Sequence, residues 1–153
     1  MQTLERPDFA RETMGEVRTA VTLTNAMDWI LLREGKLTPD KVRTYTADAL
    51  LDTGAVRTVL PSHVVQRLGL GIHGQRVVEL ADGRKETVDL TDPVVIDIDG
   101  RDTVEAALVL GDEVLIGQTV LETLDLHVDC FNRTLIPNPA HPDQPVVKIK
   151  QTL

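Results

Sequence analysis

The residues best placed to do chemistry in this chain are Asp52-Thr53-Gly54-Ala55, which follow the apolar pair Leu50-Leu51. An apolar strand that ends in a carboxylate, a hydroxyl and a glycine leaves the carboxylate partly desolvated, in surroundings where such groups exchange protons with a substrate or water. The same tripeptide also reads as a plain β-turn, because Asp bonds its own backbone and Gly accepts positive φ. Its setting favours chemistry: Val56-Arg57-Thr58-Val59-Leu60-Pro61 continues as a second strand, so the carboxylate lies on a tight connection between two extended runs.

No other constellation competes with it. His63, His73, His127 and His141 lack metal-ligand spacing, and no glycine-rich loop is set to cradle phosphate. Neither a metal nor a cofactor is therefore expected. Cys130 has no second cysteine to pair with, which agrees with a reducing compartment, and reads as a small buried apolar side chain. A formal charge of −8 with no basic run disfavours nucleic acid as a partner. No apolar run approaches the roughly 20 residues of a membrane helix, and Met1 to Pro7 lacks the apolar segment of a signal peptide. The expected location is cytoplasmic, with no membrane partner.

The elements that must position Asp52 are mostly strands. At 153 residues the chain reads as one domain, and with 3% aromatic residues its core must be aliphatic. Residues 1–14 are polar and aperiodic and are expected to form a loose arm. Glu16 to Thr24 alternates as a strand. Asn25 to Asp40 gathers Met27, Trp29, Ile30, Leu31 and Leu32 into a short helix or apolar excursion, covered by a dimer partner or by its own sheet. Tyr45 to Asp52 feeds the Asp-Thr-Gly loop. Pro61 opens a helix that Gly69 ends. Gln75 to Leu80 and Lys85 to Leu90 flank Ala81-Asp82-Gly83-Arg84, a hairpin signal that carries no function by itself. Val94 to Ile98 alternates with one solvated face, Thr103 to Leu110 pairs back on it, and Val114 to Ile116 is a short apolar strand. From 138 the chain is proline-rich and expected to be irregular.

Leu50 to Leu60 resembles the active-site loop of retroviral-type aspartic proteases: apolar-apolar-Asp-Thr-Gly-Ala, two variable residues, then Thr-Val-Leu. Leu115-Ile116-Gly117 is similar to that family's apolar-apolar-Gly element. From Met14-Gly15 to Pro145 the chain resembles a group of small single-domain bacterial and archaeal proteins of this clan, through Val21 to Ala26, Leu80 to Arg84, Ile116 to Gln118 and Leu135 to Pro139. That leaves Met14 as a candidate natural start. The resemblance implies a closed retropepsin-like β-barrel with one or two short helices over residues 15–137, between the arm and a tail at 138–153. It also implies a homodimer acting on a peptide or protein substrate, with Ala81, Asp82, Gly83 and Arg84 as a flap, Asp52 as the catalytic group and Thr53, Gly54 and Ala55 supporting it.

A weak internal repeat fits this arrangement. Val64 to Leu70 aligns without gaps on Val120 to Leu126, each after an apolar strand that ends in glycine, but the residue two before that glycine is Asp52 in one half and Leu115 in the other. The chain thus carries half of a two-carboxylate site, and two carboxylates sharing one proton supply the acid and the base that peptide hydrolysis needs. Val56, Arg57 and Gln118 depart from the retroviral pattern by removing an ion pair. An inactive protease-fold module that binds peptides or dimerises is the alternative reading.

Overall fold

The computed structural model describes residues 16–152, so the expected arm lies outside the described residues. Eight strands and two helices come first. They are β1 (Arg18–Asn25), α1 (Ala26–Arg33), β2 (Thr44–Leu51), β3 (Val59–Leu60), α2 (Ser62–Arg67), β4 (Ile72–Glu79), β5 (Lys85–Thr91), β6 (Val94–Ile98), β7 (Arg101–Glu105) and β8 (Leu108–Val109). The chain continues with β9 (Leu115–Ile116), α3 (Gln118–Leu124), β10 (Leu126–Asp129) and β11 (Thr134–Pro137).

Nine strands form one curled sheet in the order β4-β5-β8-β3-β9-β2-β1-β6-β7, and β10 pairs only with β11. The sheet runs from a β4 edge to a β7 edge with no pairing between them, so the described residues form an open half-barrel rather than the closed barrel expected. Alternation explains the strands: Val21 and Leu23 of β1, Ala47, Ala49 and Leu51 of β2, and Ile96 and Ile98 of β6 point into one aliphatic core. No helix among the described residues is long and apolar enough to cross a membrane.

Three α-helices are present where one or two were expected. Of the two readings open for residues 25–40, a short helix or an apolar excursion, α1 realises the helix, because the Asn25 side chain caps it, accepting from the amides of Met27 at 2.9 Å and Asp28 at 3.1 Å. Its buried residues are Ala26 and Asp28, while Met27, Trp29 and Ile30 are exposed. Asp28 accepts from Arg43 through the amide (3.0 Å), Nε (2.9 Å) and Nη2 (3.0 Å), which fixes α1 to the entry of β2. The Arg43 guanidinium holds the Asp28 carboxyl below the usual range.

The run expected as one strand from Thr103 to Leu110 is two. It leaves β6 at Glu105, and the Ala107 amide then bonds Thr91 Oγ1 at 3.0 Å, so that β8 lies parallel to β3 and antiparallel to β5. A change of neighbour within a sheet leaves the side-chain period intact, so alternation cannot reveal it. Cys130 is exposed rather than buried, because it lies at the turn between β10 and β11.

The repeat is structural. Val64, Val65, Leu68 and Leu70 are buried, and so are their counterparts Val120, Leu121, Leu124 and Leu126. Gly69 and Asp125, aligned in the repeat, both have left-handed backbone after their helices, at φ +61° and +57°. Asp125 also anchors the proline-rich segment. Its carboxylate accepts from Asn138 Nδ2 at 2.9 Å and the Val146 amide at 3.1 Å and pairs with His141 Nδ1 at 2.6 Å, while Arg101 donates to the carbonyls of Leu124, Asp125 and His141. Asn138 first, then Val146 and His141, hold the Asp125 carboxyl down at about 2.

Candidate active site

The Asp52 loop is pinned by backbone from the second half of the chain. β2 and β9 run parallel with Leu50 beside Leu115 and Leu51 beside Ile116, and the Asp52 amide donates to Ile116 O at 2.9 Å. The next step of the register brings Gly117 against the loop. A Cβ on Gly117 would lie 2.7 Å from Ala55 O and 2.9 Å from both Arg57 N and Arg57 O, so only hydrogen fits there. The start of α3 completes the grip: Gln118 N donates to Ala55 O at 2.8 Å and Thr119 N to Val56 O at 3.0 Å. These bonds also satisfy two of the free amides of a helix start.

Asp52 is half-buried. Its Oδ1 accepts the Gly54 amide at 2.9 Å, and no described residue bonds its other carboxylate oxygen. A turn of this kind orients the carboxylate as well as closing the loop, so the turn reading and the chemical reading coexist. Thr53 is exposed, and its hydroxyl makes no hydrogen bond among the described residues.

A cleft of about 760 Å³ opens beside Asp52. Gly54, Ala55 and Val56 border it on the loop side, Val59, Leu90, Leu108 and Leu115 supply an apolar floor, and the hairpin of β4 and β5 overhangs it through Val78, Leu80 and Ala81. Of the sequence-selected residues, Asp52, Gly54, Ala55, Ala81 and Leu115 meet in this one cleft. Asp82, Gly83 and Arg84 form the hairpin tip outside its lining, while Ile116 and Gly117 are buried behind the loop. The tip closes with Gly83 N on Leu80 O at 2.9 Å and Leu80 N on Arg84 O at 2.7 Å, and Gly83 takes φ +89°. Asp82 accepts the Arg84 amide at 3.0 Å and pairs with its Nε at 2.7 Å, and both hold the Asp82 carboxyl low.

One supporting residue gave no sequence signal. The Glu105 carboxylate accepts from Thr58 N at 3.0 Å, Thr58 Oγ1 at 2.7 Å and Thr119 Oγ1 at 2.8 Å, tying the strand after the Asp52 loop to the helix of the second half. These partners lie 47 and 14 residues from it, beyond any local pattern. Arg57 and Arg76 also line the cleft, and the sequence marked Arg57 only as a departure from a pattern. Among the described residues no group of three His, Cys, Asp or Glu side chains is placed to hold a metal ion.

No curated protein matches the chain. Among solved structures, that of the simian foamy virus (mac) protease in solution is 12% identical, covering 69% of this chain and 90% of that one with a TM-score of 0.42. The EIAV protease complexed with the inhibitor HBY-793 is 24% identical, covering 70% of this chain and 86% of that one with a TM-score of 0.46. The family model described as "gag-polyprotein putative aspartyl protease" matches residues 41–123, a span that runs from the entry of β2 through the Asp52 loop, the overhanging hairpin and Gly117. By that match the chain belongs to the retroviral-type aspartyl protease family.

Proposed function

We propose that this protein is an aspartic endopeptidase that works as a homodimer, with Asp52 of each copy meeting at a twofold axis. The observation that carries this reading is the half-buried Asp52 carboxylate, held by backbone at the mouth of an apolar cleft that a hairpin overhangs. One carboxylate cannot act as both base and acid in the same step. A second copy supplies the other, and a closed point-group dimer places identical loops face to face. The pair then shares one proton: the ionised partner takes a proton from water as it attacks the peptide carbonyl, and the protonated partner gives one to the carbonyl oxygen. In this reading the exposed Thr53 hydroxyl braces the two loops across the axis, and Gly54 allows close approach of the partner and substrate. Ala81 to Arg84 then form the tip of a flap that excludes water when substrate is bound.

The test is cleavage of a peptide library by wild type and Asp52→Asn, alongside sedimentation of both. A dimeric wild type that cleaves, and a dimeric Asp52→Asn that does not, is the expected result. A dimer in which neither protein cleaves any peptide would leave a peptide-binding or dimerisation module instead. A wild type that cleaves as a strict monomer would remove the shared-proton mechanism.

A further inference from the structure

Two arginines line the cleft, and among the described residues neither has an acidic partner. Arg57 is half-buried beside the Asp52 loop, and Arg76 reaches the cleft from β4. No carboxylate among the described residues pairs with either, in a chain that has 24 acidic residues against 16 basic ones. Glu105, which bonds the adjacent Thr58, already accepts three hydrogen bonds from Thr58 and Thr119. The cleft therefore carries two cations that no described carboxylate neutralises.

Both side chains start from fixed backbone. The Arg57 N and O atoms lie against Gly117 so tightly that no Cβ fits between them. Arg76 stands opposite the buried Val88 in the β4–β5 register, so alternation puts Arg76, Val78 and Leu80 on the inner face of the hairpin. Glu79 borders the cleft but alternates to the outer face, where its register partner is Lys85. One Arg76 nitrogen bonds Gln75 O at 2.8 Å, which leaves the rest of that fork free to donate.

We propose that Arg57 and Arg76 select peptides that carry a carboxylate next to the residue seated on the apolar floor. This rests on reading the cleft as the substrate site. A planar, permanently charged donor fork recognises a carboxylate better than any neutral polar group does; the half-buried Arg57 is the less screened of the two, and Arg76 is exposed. The carboxylate has two possible sources, an Asp or Glu side chain or the peptide's own C-terminus.

The test uses amidated peptides with a central Leu-Leu pair and Glu, Gln or Lys at one flanking position, plus the Gln peptide with a free C-terminal acid. Cleavage is read as kcat/KM, and binding is read separately as the Kd of each peptide with its scissile bond reduced. Wild type should favour the Glu peptide over the Gln peptide by roughly tenfold or more, and less so at high salt. Arg57→Gln should erase the preference and Arg57→Glu should turn it towards Lys. If only the free-acid Gln peptide gains, the carboxylate is terminal. Should either Arg57 variant fail to melt like wild type, the same comparison with Arg76→Gln and Arg76→Glu carries the test. Equal Kd for the Glu, Gln, Lys and free-acid Gln peptides, or no binding of any, overturns the proposal. Selective binding without cleavage leaves the selection standing and removes the protease reading, whereas unselective cleavage does the reverse.

Discussion

Gly117→Ala is the sharpest single perturbation of the site that the fold suggests. Gly117 has φ −99° and ψ −172°, extended backbone open to any residue, so the change adds no conformational strain of its own. Its whole effect is the new methyl group. That carbon would lie 2.7 Å from Ala55 O and 2.9 Å from Arg57 N and O, closer than real Cβ contacts, and all three atoms are backbone that cannot swing aside. Relief requires moving the loop, and the loop is held by the Gln118 N to Ala55 O and Thr119 N to Val56 O bonds at 2.8 and 3.0 Å. Overpacking a tight site costs about 1 to 3 kcal/mol, and one hydrogen bond lost or stretched adds about 0.5 to 1.5 kcal/mol. The expected loss is therefore about 2 to 4 kcal/mol, or roughly 6 to 15 °C in melting temperature for a domain of this size. Urea unfolding measures it, with peptide cleavage as a second readout that should fall because the displaced segment carries Asp52. Gly83→Ala is the control: it has open space around it but φ +89°, so its cost of about 1 to 2 kcal/mol comes from strain alone and should leave the Asp52 loop in place. A Gly117→Ala protein with the wild-type urea midpoint would refute the steric argument.

Glu105→Ala should cost about 2 to 4 kcal/mol, because it strands the amide of the fully buried Thr58. Glu105→Gln should cost about 1 kcal/mol or less, since an amide can still accept from Thr58 and donate to Thr119 Oγ1. Equal urea midpoints for the two variants would mean that the carboxylate is no clamp. Asp28→Asn should destabilise by about 2 to 3 kcal/mol through weakened bonds to Arg43; the expected readout is a lower midpoint with unchanged cleavage, because α1 lies away from the cleft lining. For Asp125, a folded value of about 2 against an unfolded one near 3.9 means that its contribution is complete above about pH 4 and is lost as pH falls towards 2. The Val146 amide shift should then titrate with a midpoint near 2 in wild type and stay flat in Asp125→Asn, and a wild-type midpoint near 3.9 would contradict the anchor.

What the sequence made legible was whatever depends on near neighbours. The alternation of Val21 with Leu23 and of Ile96 with Ile98 marked their strands, and Asp82-Gly83 marked the hairpin, because side-chain period and turn chemistry are local. Asp52 was legible because its loop is a continuous motif. What stayed hidden depended on residues brought together from far apart. The switch of partner between β7 and β8, the Glu105 link from Thr58 to Thr119 and the exclusion of a Cβ at Gly117 all join the two halves of the chain. The helix at Ala26–Arg33 was half-visible: its apolar cluster called for cover from a dimer partner or from its own sheet, and within the chain Met27, Trp29 and Ile30 stay exposed while Asp28 is buried against Arg43.

The repeat explains why Asp52 stands where it does. Val64 to Leu70 and Val120 to Leu126 bury the same positions against one core, and each helix ends in a left-handed residue, so the two halves of the chain are variations on one unit. Each half presents a loop to the same place, with β2 and β9 side by side, yet only the first loop carries a carboxylate; the second contributes Leu115 to the cleft and Gly117 to the packing. The second half has thus become the support of the first. Ile116 O, the start of α3 and Thr119 are the groups that hold the Asp52 loop in position. The second loop supplies no carboxylate to complement Asp52, and the proposed dimer is the arrangement that makes two such half-sites into a pair.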